Sequence, residues 1–379
     1  FIETFEPLRK SSQSNVRLSR GGQGAPKRSK TSRFVGKIYR AKLQPGQSAS
    51  VAAKSLERHP DIAIAEPVIP LTIFNSVPPE FQDVLPNDVQ FSKLWHLFND
   101  GQGSESREGE DIDILNAWKT FKGDPDFLMA IIDTGADFFH PDLVDNLWVN
   151  SGEIPGNGID DDSNGYIDDI HGYDFQNDDS DPYDDSGHGT HVSGIAGAVG
   201  NNGQGIVGIN WKIDLMQLKA FNNKGRGNTS TGIAAIEYAV ENGAKIINAS
   251  WGAEDKSRLL KQVIEKARED GVLTIAAAGN DSKQIKNYPA AFESVISVAS
   301  VDSGGRKSEF TNHGPTIDIS APGTAIFSTK VNNSYGSLNG TSMATPIVSG
   351  VAALVWGKNP DFSLVDVEKP RTTRLLENQ

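Results

Sequence analysis

The heptapeptide Gly340-Thr341-Ser342-Met343-Ala344-Thr345-Pro346 puts a serine where serine can act as a nucleophile. The small and apolar run Ile347-Val348-Ser349-Gly350-Val351-Ala352-Ala353-Leu354 follows, so the segment is expected to open a buried helix. Ser342 then falls in the first turn, where backbone N–H groups lack helical partners and the dipole is positive. Pro346 comes early enough for its missing N–H to cost little, and Gly340 has no side chain to obstruct an approaching backbone. Taken alone, the motif fits an ordinary Ser/Thr helix start equally well. Two further segments bear on the choice. The apolar run Phe127–Ile132 ends in Asp133-Thr134-Gly135, which puts a carboxylate at the C-terminal end of an expected parallel strand, where open α/β sheets place their sites. Ser186-Gly187-His188-Gly189-Thr190-His191 leads into a helix of small residues, Val192–Val199, with His188 between glycines facing a cleft. An Asp after a strand is often a turn residue, and His191 reads as a packed structural histidine. An Asp, a His and a Ser in that order, each in a small-residue setting, are nevertheless the parts of an activated hydroxyl nucleophile.

On Ile132-Asp133-Thr134-Gly135, Gly187-His188-Gly189-Thr190-His191, Ala276-Ala277-Ala278-Gly279-Asn280 and Gly340–Pro346, the sequence resembles the subtilisin-like serine proteases, the subtilases, from about Pro86 almost to its end. The resemblance implies a three-layer α/β fold with a mainly parallel central sheet. It also assigns roles. His188 takes the Ser342 proton, Asp133 holds the imidazole tautomer and stabilises the imidazolium, and Asn280 with the Ser342 N–H receives the oxyanion. Losing one such donor costs about 10²–10³-fold in turnover in this family. On Gly279-Asn280 alone, a turn closing the strand-like Val272–Ala278 would be the simpler reading.

The resemblance extends to substrate binding. Ile246–Gly252 is a buried strand whose end, Ser250-Trp251-Gly252, resembles one wall of the primary specificity pocket. Ala277-Ala278-Gly279 resembles the other wall, with Asn287 near the floor. Gly225-Arg226-Gly227 matches the edge that pairs with an extended substrate backbone, which would give broad tolerance. A flexible loop flanked by Asn222, Asn223 and Asn228 is the competing reading of that segment. No residue supplies an acidic pocket floor, so strict Lys/Arg specificity is not expected.

The chain is long enough at 379 residues for a large core and two domains, and it contains no cysteine. Apolar runs reach only strand length, so no membrane span is expected. It begins at Phe1 without a Met or a signal-peptide core, which reads as a processed or trimmed product; secretion is implied by the resemblance alone. The net charge of −13 divides into +8 for residues 1–75 and −21 for the remainder. A basic nucleic-acid tail is one reading of the first part, but the acidic remainder argues against it.

A better reading rests on the strand-like Arg33–Leu43, a helical stretch around Val51–Glu57 and a second strand, Ile62–Glu66. This α+β, ferredoxin-like piece resembles the second half of a subtilase inhibitory propeptide, with opposite charge favouring docking on the protease body. Residues 1–30 match poorly and are expected to hold a first strand and a long loop. The expected organisation is a propeptide over 1–75, a linker or processing region over 76–86, and a catalytic domain over 87–379. Around Pro67–Pro86 the chain is Pro-rich and expected to be extended, with cleavage after Phe74 or Asn75, or a simple linker. Toward the other end, the family adds a helix and a strand after Pro360, whereas Lys369-Pro370-Arg371-Thr372-Thr373-Arg374 is basic and interrupted. That end is either trimmed or continues in a longer protein.

Oxygen side chains alternate through Asp160-Asp161-Asp162-Ser163-Asn164-Gly165-Tyr166-Ile167-Asp168-Asp169, as at the start of an EF-hand-like calcium loop, although position twelve is His171 and not Glu. The ligands expected are Asp160, Asp162, Asn164, Asp169 and the Tyr166 carbonyl; a solvated acidic loop is the alternative. A second site follows from the resemblance: Asp88, Asp142, the Asn202 side chain and the carbonyls of Val199, Gln204 and Ile206. A helix-start cap is the alternative for Asp142. The sequence therefore points to a monomeric, calcium-dependent, secreted serine endopeptidase, made as a zymogen, acting on proteins and peptides and restrained by its own propeptide. No nucleic-acid or membrane partner is expected. A catalytically silent, calcium-dependent binding module is the alternative.

Overall fold

In the N-terminal part, Ile2–Pro7 (β1) pairs antiparallel with Tyr39–Leu43 (β2), and Ala49–Leu56 forms helix α1. The computed structural model describes residues 2–7, 39–43, 48–62, 65, 78–101 and 104–368. The first strand and the helix lie where the sequence placed them. The proposed strand over Ile62–Glu66, the segment Leu71–Phe74 and the basic stretch after Lys369 fall wholly or mostly outside the described residues. The chain separates into two units, Phe1–Phe74 and Asn75–Gln379. Within the expected extended linker, Pro79–Val84 is instead a 3-10 helix, opened by a proline whose fixed φ suits a first helical position.

The second unit runs through Ile114–Trp118 (α2), Gly123–Asp133 (β3), Gly172–Asp174 (β4), His188–Gly197 (α3), Lys212–Lys219 (β5), Thr229–Glu241 (α4) and Ile246–Ala249 (β6). It continues through Arg258–Glu269 (α5), Leu273–Ala277 (β7), Val295–Val301 (β8), Ile319–Pro322 (β9), Ile326–Lys330 (β10), Ser334–Leu338 (β11), Thr341–Lys358 (α6) and Leu364–Glu368 (α7). Seven strands form one parallel sheet in the order β4-β5-β3-β6-β7-β8-β9. From β3 the chain goes to the edge strand β4, returns to β5 beside β3, and then crosses to β6 on the other side of β3. The carboxyl end of β3 is thus a topological switch point, where crevices form in open sheets.

Both faces of the sheet are covered, as apolar parallel strands require. Met129 and Ile131 face a core that includes Val192 and Ile195 of α3 and Met343 and Ile347 of α6. Ala130 and Ile132 face the opposite core, with Ile236 and Tyr238 of α4 and Leu260 and Ile264 of α5. An Asn228 capping box opens α4 and the Ser257 hydroxyl caps α5. The β10–β11 hairpin holds α3 from outside: Ser328 Oγ donates to the His191 carbonyl and Thr329 Oγ1 to the Thr190 carbonyl, at 2.8 and 2.7 Å. No helix among the described residues is long and apolar enough to cross a membrane.

His191 is a packed structural histidine, as its sequence setting suggested. It is fully buried, with Nε2 on the Gly336 carbonyl and Nδ1 without a partner. His96 is also buried with an unpaired Nδ1. Burial pushes both rings down to about 3, and each is further lowered by a neighbouring histidine. An unfolded chain takes protons near pH 6.5 that the folded chain refuses. Stability is therefore expected to fall as pH drops below about 6.5, continuing toward 3, by about 1.4 kcal/mol per pH unit for each such ring. Urea unfolding at pH 7, 6 and 5 measures this slope, and His96→Leu should flatten it whatever it does to absolute stability.

Candidate active site

Ser342 is the second residue of α6, so its N–H has no helical acceptor. Pro346 proves to lie beyond the first turn, where its missing N–H deprives the Ser342 carbonyl of its i−4 partner. That loss is made good locally: Ser250 Oγ donates to the Ser342 carbonyl at 3.0 Å, and Ser342 Oγ donates to the Ser250 carbonyl at 3.1 Å. The proline does not come free, as its position in the sequence suggested, but ties the serine to the end of β6. Asn280 reaches the same turn. Its Oδ1 accepts from the N–H and hydroxyl of Thr341 at 2.9 and 3.0 Å, which aims Nδ2 away from the helix. A Cβ on Gly340 would stand 3.5 Å from the Ser342 nitrogen and 3.6 Å from Asn280 Nδ2, so the missing side chain leaves a small space facing both donors.

Asp133 closes β3, and His188 opens α3, which packs against α6. His188 Nδ1 lies 2.7 Å from Asp133 Oδ1, which also accepts the Thr134 N–H at 2.8 Å. The carboxylate is almost wholly buried while the imidazole keeps a third of its surface open. Burial alone would push the ring down; the Asp133 charge and hydrogen bond, with the Asp184 charge behind them, outweigh it and hold His188 above the usual histidine value. Close approach of the two elements depends on Gly189, where a Cβ would come within 2.1 Å of the Gly135 carbonyl.

The Asp184 carboxylate fastens these pieces together. Fully buried, it accepts five hydrogen bonds of 2.6–2.9 Å, from Thr134 Oγ1, the N–H groups of Ser186 and Gly187, and the N–H and hydroxyl of Thr190. Thr134 Oγ1 in turn accepts the Gly189 N–H at 2.9 Å. The turn after Asp133 and the start of the His188 helix are thereby one hydrogen-bonded unit.

Beside Ser342 opens a cavity of about 320 Å³. Ser250, Trp251 and Gly252 form one side, and Ala277 and Gly279 the other, with Asn280 and Asn287 between them. The Asn287 amide spans the base, lying against both Gly252 and Gly279. Ala278 is buried and does not line the cavity; its carbonyl accepts Asn312 Nδ2 at 3.0 Å. Gly225, Arg226 and Gly227 also lie outside the lining. Asn222 folds that loop on itself, its side chain and carbonyl accepting the N–H groups of Arg226 and Gly225, while the Gly227 N–H meets no described partner. Although the floor carries no acid, two carboxylates, Glu254 and Asp281, line the cavity.

Two acidic loops stand elsewhere. Asp142 is fully buried and caps no helix. Its Oδ1 accepts Asn202 Nδ2 at 2.9 Å, and its Oδ2 accepts the Ile206 N–H at 2.7 Å and the Tyr335 hydroxyl at 2.9 Å. The loop 199–206 thus wraps Asp142, and the Asn201 N–H reaches Asp88 Oδ2 at 2.8 Å. Asp88 Oδ1 is buried with no partner; burial, with the Asp142 charge adding, pushes Asp88 up to about 6. In the other loop, carboxylate oxygens of Glu153, Asp160 and Asp162 come within 4.8 Å of one another. Asn164 bonds to Asp160, Asp162 and Asp169. The Asp169 carboxylate turns inward to Asn150 and Tyr238.

Residues 124–375 match the Peptidase S8 Subtilase family. The chain belongs to the subtilase family. It is 38% identical over 270 residues to thermitase of Thermoactinomyces vulgaris, covering 71% of this chain and 85% of that one. It is equally identical, over 239 residues, to the thermophilic serine proteinase of Bacillus sp. strain AK1, covering 63% of this chain but only 54% of the relative. A crystal structure of a cold-adapted subtilisin-like serine proteinase superposes with a TM-score of 0.54 at 26% identity, over 73% of this chain and 89% of the other. The fold is subtilisin-like, with helices on both faces of its seven-stranded sheet.

Three features of this subtilase escaped the sequence reading. Asp184 stands in the run Asp184-Asp185-Ser186 and gives no sign of which carboxylate turns inward. Glu153 lies outside the span read as a calcium loop: that pattern expects a Glu at position twelve, where His171 stands, and the glutamate arrives from upstream. Glu254 and Asp281 directly follow the segments read as pocket walls, and that adjacency was the available signal. Because the Asp184 charge raises His188, the His188 imidazole is expected to titrate above pH 6.5, and Asp184→Asn should shift that titration downward. Nuclear magnetic resonance titration of the ring protons reads both. An unmoved value in the variant would leave Asp184 a purely structural brace.

Proposed function

We propose that this subtilase is a serine endopeptidase in which Ser342 is the nucleophile, His188 the base and Asp133 its partner. The observation carrying this reading is the 2.7 Å Asp133–His188 bond, on a helix packed against the one that offers Ser342 beside two free donors. Asp133 fixes the proton on Nδ1, which leaves Nε2 free to accept. Ser342 Oγ gives up its bond to the Ser250 carbonyl, passes its proton to His188 and attacks the peptide carbonyl carbon. The oxygen becomes an oxyanion received by the Ser342 N–H and Asn280 Nδ2, in the space that Gly340 leaves open. His188 then protonates the leaving amine, and water cleaves the acyl-serine ester by the reverse transfer. Hydroxyl and imidazole are not bonded in this structure; such contacts tighten when substrate binds.

Substrate backbone would lie extended along Ser250–Gly252 and Gly227, through main-chain bonds indifferent to most side chains. Of the edge Gly225-Arg226-Gly227, the inward turn of the first two N–H groups leaves Gly227 as the available donor. The unit Phe1–Phe74 would act as an inhibitory propeptide, its charge opposite to that of the rest. Processing in the following segment, secretion and a monomeric working state complete the proposal.

A divalent cation fits both acidic loops by donor chemistry. The unpaired buried Asp88 Oδ1 beside Asp142 is a deficit that a cation relieves, with Asn202 and the carbonyls of Val199, Gln204 and Ile206 at hand. Glu153, Asp160 and Asp162 bring three carboxylates together, with Asn164, Asp169 and the Tyr166 carbonyl adjoining. Calcium suits such irregular oxygen-only sets, and bound there it would supply charge neutralisation and loop order.

Ser342→Ala is expected to abolish hydrolysis of a fluorogenic peptide, and Asn280→Leu to lower kcat about 10²-fold or more with little change in KM. Persisting turnover in the first, or a change confined to KM in the second, contradicts the assignment. The acid limb of kcat/KM should lie above pH 6.5, because His188 must be neutral and its pKa is raised. For the cation, a chelator is expected to lower Tm by several degrees, since binding at a hundredfold excess over Kd contributes about 2.7 kcal/mol. Asp88→Asn and Asp162→Ala should each remove part of the difference; coincident melting curves with millimolar calcium and with chelator would refute both sites.

A further inference from the structure

We propose that the cavity beside Ser342 selects a cationic, lysine- or arginine-like side chain on the residue that contributes the cleaved carbonyl. The inference rests on the serine endopeptidase reading and narrows its substrate class. Two carboxylates, Glu254 and Asp281, line the cavity, and no lysine or arginine does. Glu254 is exposed and bonds to no described residue, so its charge is free to meet a ligand. Asp281 is held in place by Asn312, whose Oδ1 accepts the Asp281 N–H at 2.9 Å and whose Nδ2 donates to Asp281 Oδ2 at 3.3 Å. One oxygen of that carboxylate is thereby left for another donor. At the base, Asn287 Nδ2 points to the Ala277 carbonyl at 3.5 Å, while its Oδ1 accepts nothing among the described residues.

The charged groups of this lining are both acceptors, and Asn287 Oδ1 is a third; of the unpaired donors, the Ser342 N–H and Asn280 Nδ2 belong to the oxyanion site, and Trp251 Nε1 is buried out of reach of solvent. A hydrocarbon side chain would offer those acceptors nothing, leaving only water as their donor, and a carboxylate would be repelled. A long cationic side chain answers both demands: its methylenes pack on Trp251 and Ala277, and its head donates to the acceptors. The cavity, at about 320 Å³, is large enough to admit such a chain whole. Since both carboxylates lie on the solvent side, the attraction is screened, and selectivity should be a matter of several-fold rather than thousands.

The test uses the full chain and three fluorogenic peptides, identical except for lysine, norleucine or glutamate at the residue before the cleaved bond. Norleucine keeps the hydrocarbon stem without the charge. The kcat/KM ratio of lysine to norleucine is expected at about five or more, and glutamate should be the poorest of the three. The double variant Glu254→Gln/Asp281→Asn should bring the lysine/norleucine ratio close to one, and 0.5 M salt should lower it in the unsubstituted protein. Ratios are compared, so a general loss of activity in the variant cancels. Reaction of Ser342 with a serine-directed fluorophosphonate separates the two levels of the argument. Labelling together with norleucine cut as fast as lysine overturns the charge selection alone. A preference for lysine that survives in the double variant also overturns it. Neither labelling nor cleavage of any peptide overturns the endopeptidase reading and this inference with it.

Discussion

The register of β3 is the constraint from which the site follows. Met129 and Ile131 are buried in one core, Ala130 and Ile132 in the other, and each of the larger side chains contributes about 1.5–3 kcal/mol by leaving water. A slip of one residue would exchange the two faces, placing the long side chains where the sheet admits alanine and the reverse. Asp133 is therefore delivered to the crevice by residues that never touch it. Neighbouring strands carry the same constraint: the Asp133 carbonyl accepts the Ala220 N–H after β5, and β6 runs into Ser250. Three strand ends, each fixed by its own apolar pattern, meet where β3 reverses the direction of winding.

Helices supply what strands cannot, namely backbone donors without partners. Both α3 and α6 begin at the crevice, and in each case the first turn is anchored by side chains rather than by more helix. Asp184 accepts the N–H groups that α3 leaves open, and Asn280 accepts that of Thr341 at the start of α6. Ser250 repairs the break that Pro346 makes. Each anchor doubles as a positioning device: Asp184 places and charges the His188 helix, Asn280 turns its amide nitrogen toward the cavity, and Ser250 holds Ser342 from both its oxygen and its carbonyl. Rigid placement of this kind is what lets a site act without reorganising as charge develops.

Much of this was legible in the sequence, for a physical reason. Apolar strand runs ending in Asp133 and near Ser250, and small-residue helices opening at His188 and Ser342, are local patterns with strong periodicity. What could not be read depends on which way a polar side chain turns after the chain has folded. Asp184 and Asp185 are neighbours of the same type, yet one takes five donors in the core and the other pairs with Lys219. Pro346 reads as harmless near a helix start, yet α6 begins at Thr341 and leaves it part of a turn too far in. The Asn222 turn consumes backbone donors that an extended reading of Gly225-Arg226-Gly227 had reserved for substrate. Glu153 shows the converse limit, since a loop motif read in one direction overlooks a ligand that returns from the other.

Unsatisfied polar groups in this fold are of two kinds, and the difference is energetic. The Ser342 N–H and Asn280 Nδ2 face a cavity open to water, so leaving them unpaired costs little until a ligand displaces that water. Asp88 Oδ1 has no such recourse. A buried acceptor without a donor costs about 1–3 kcal/mol, more when charged, and Asp142 adds a second negative charge nearby. Protonation is one escape, but at neutral pH a carboxyl pushed only to about 6 remains mostly ionised. A cation is the other, and bound as proposed it would cancel both charges at once and draw the loop 199–206 toward Asp88. In the proposed mechanism the donors of the crevice would meet a transient charge, whereas the deficit at Asp88 would be met by a permanent one.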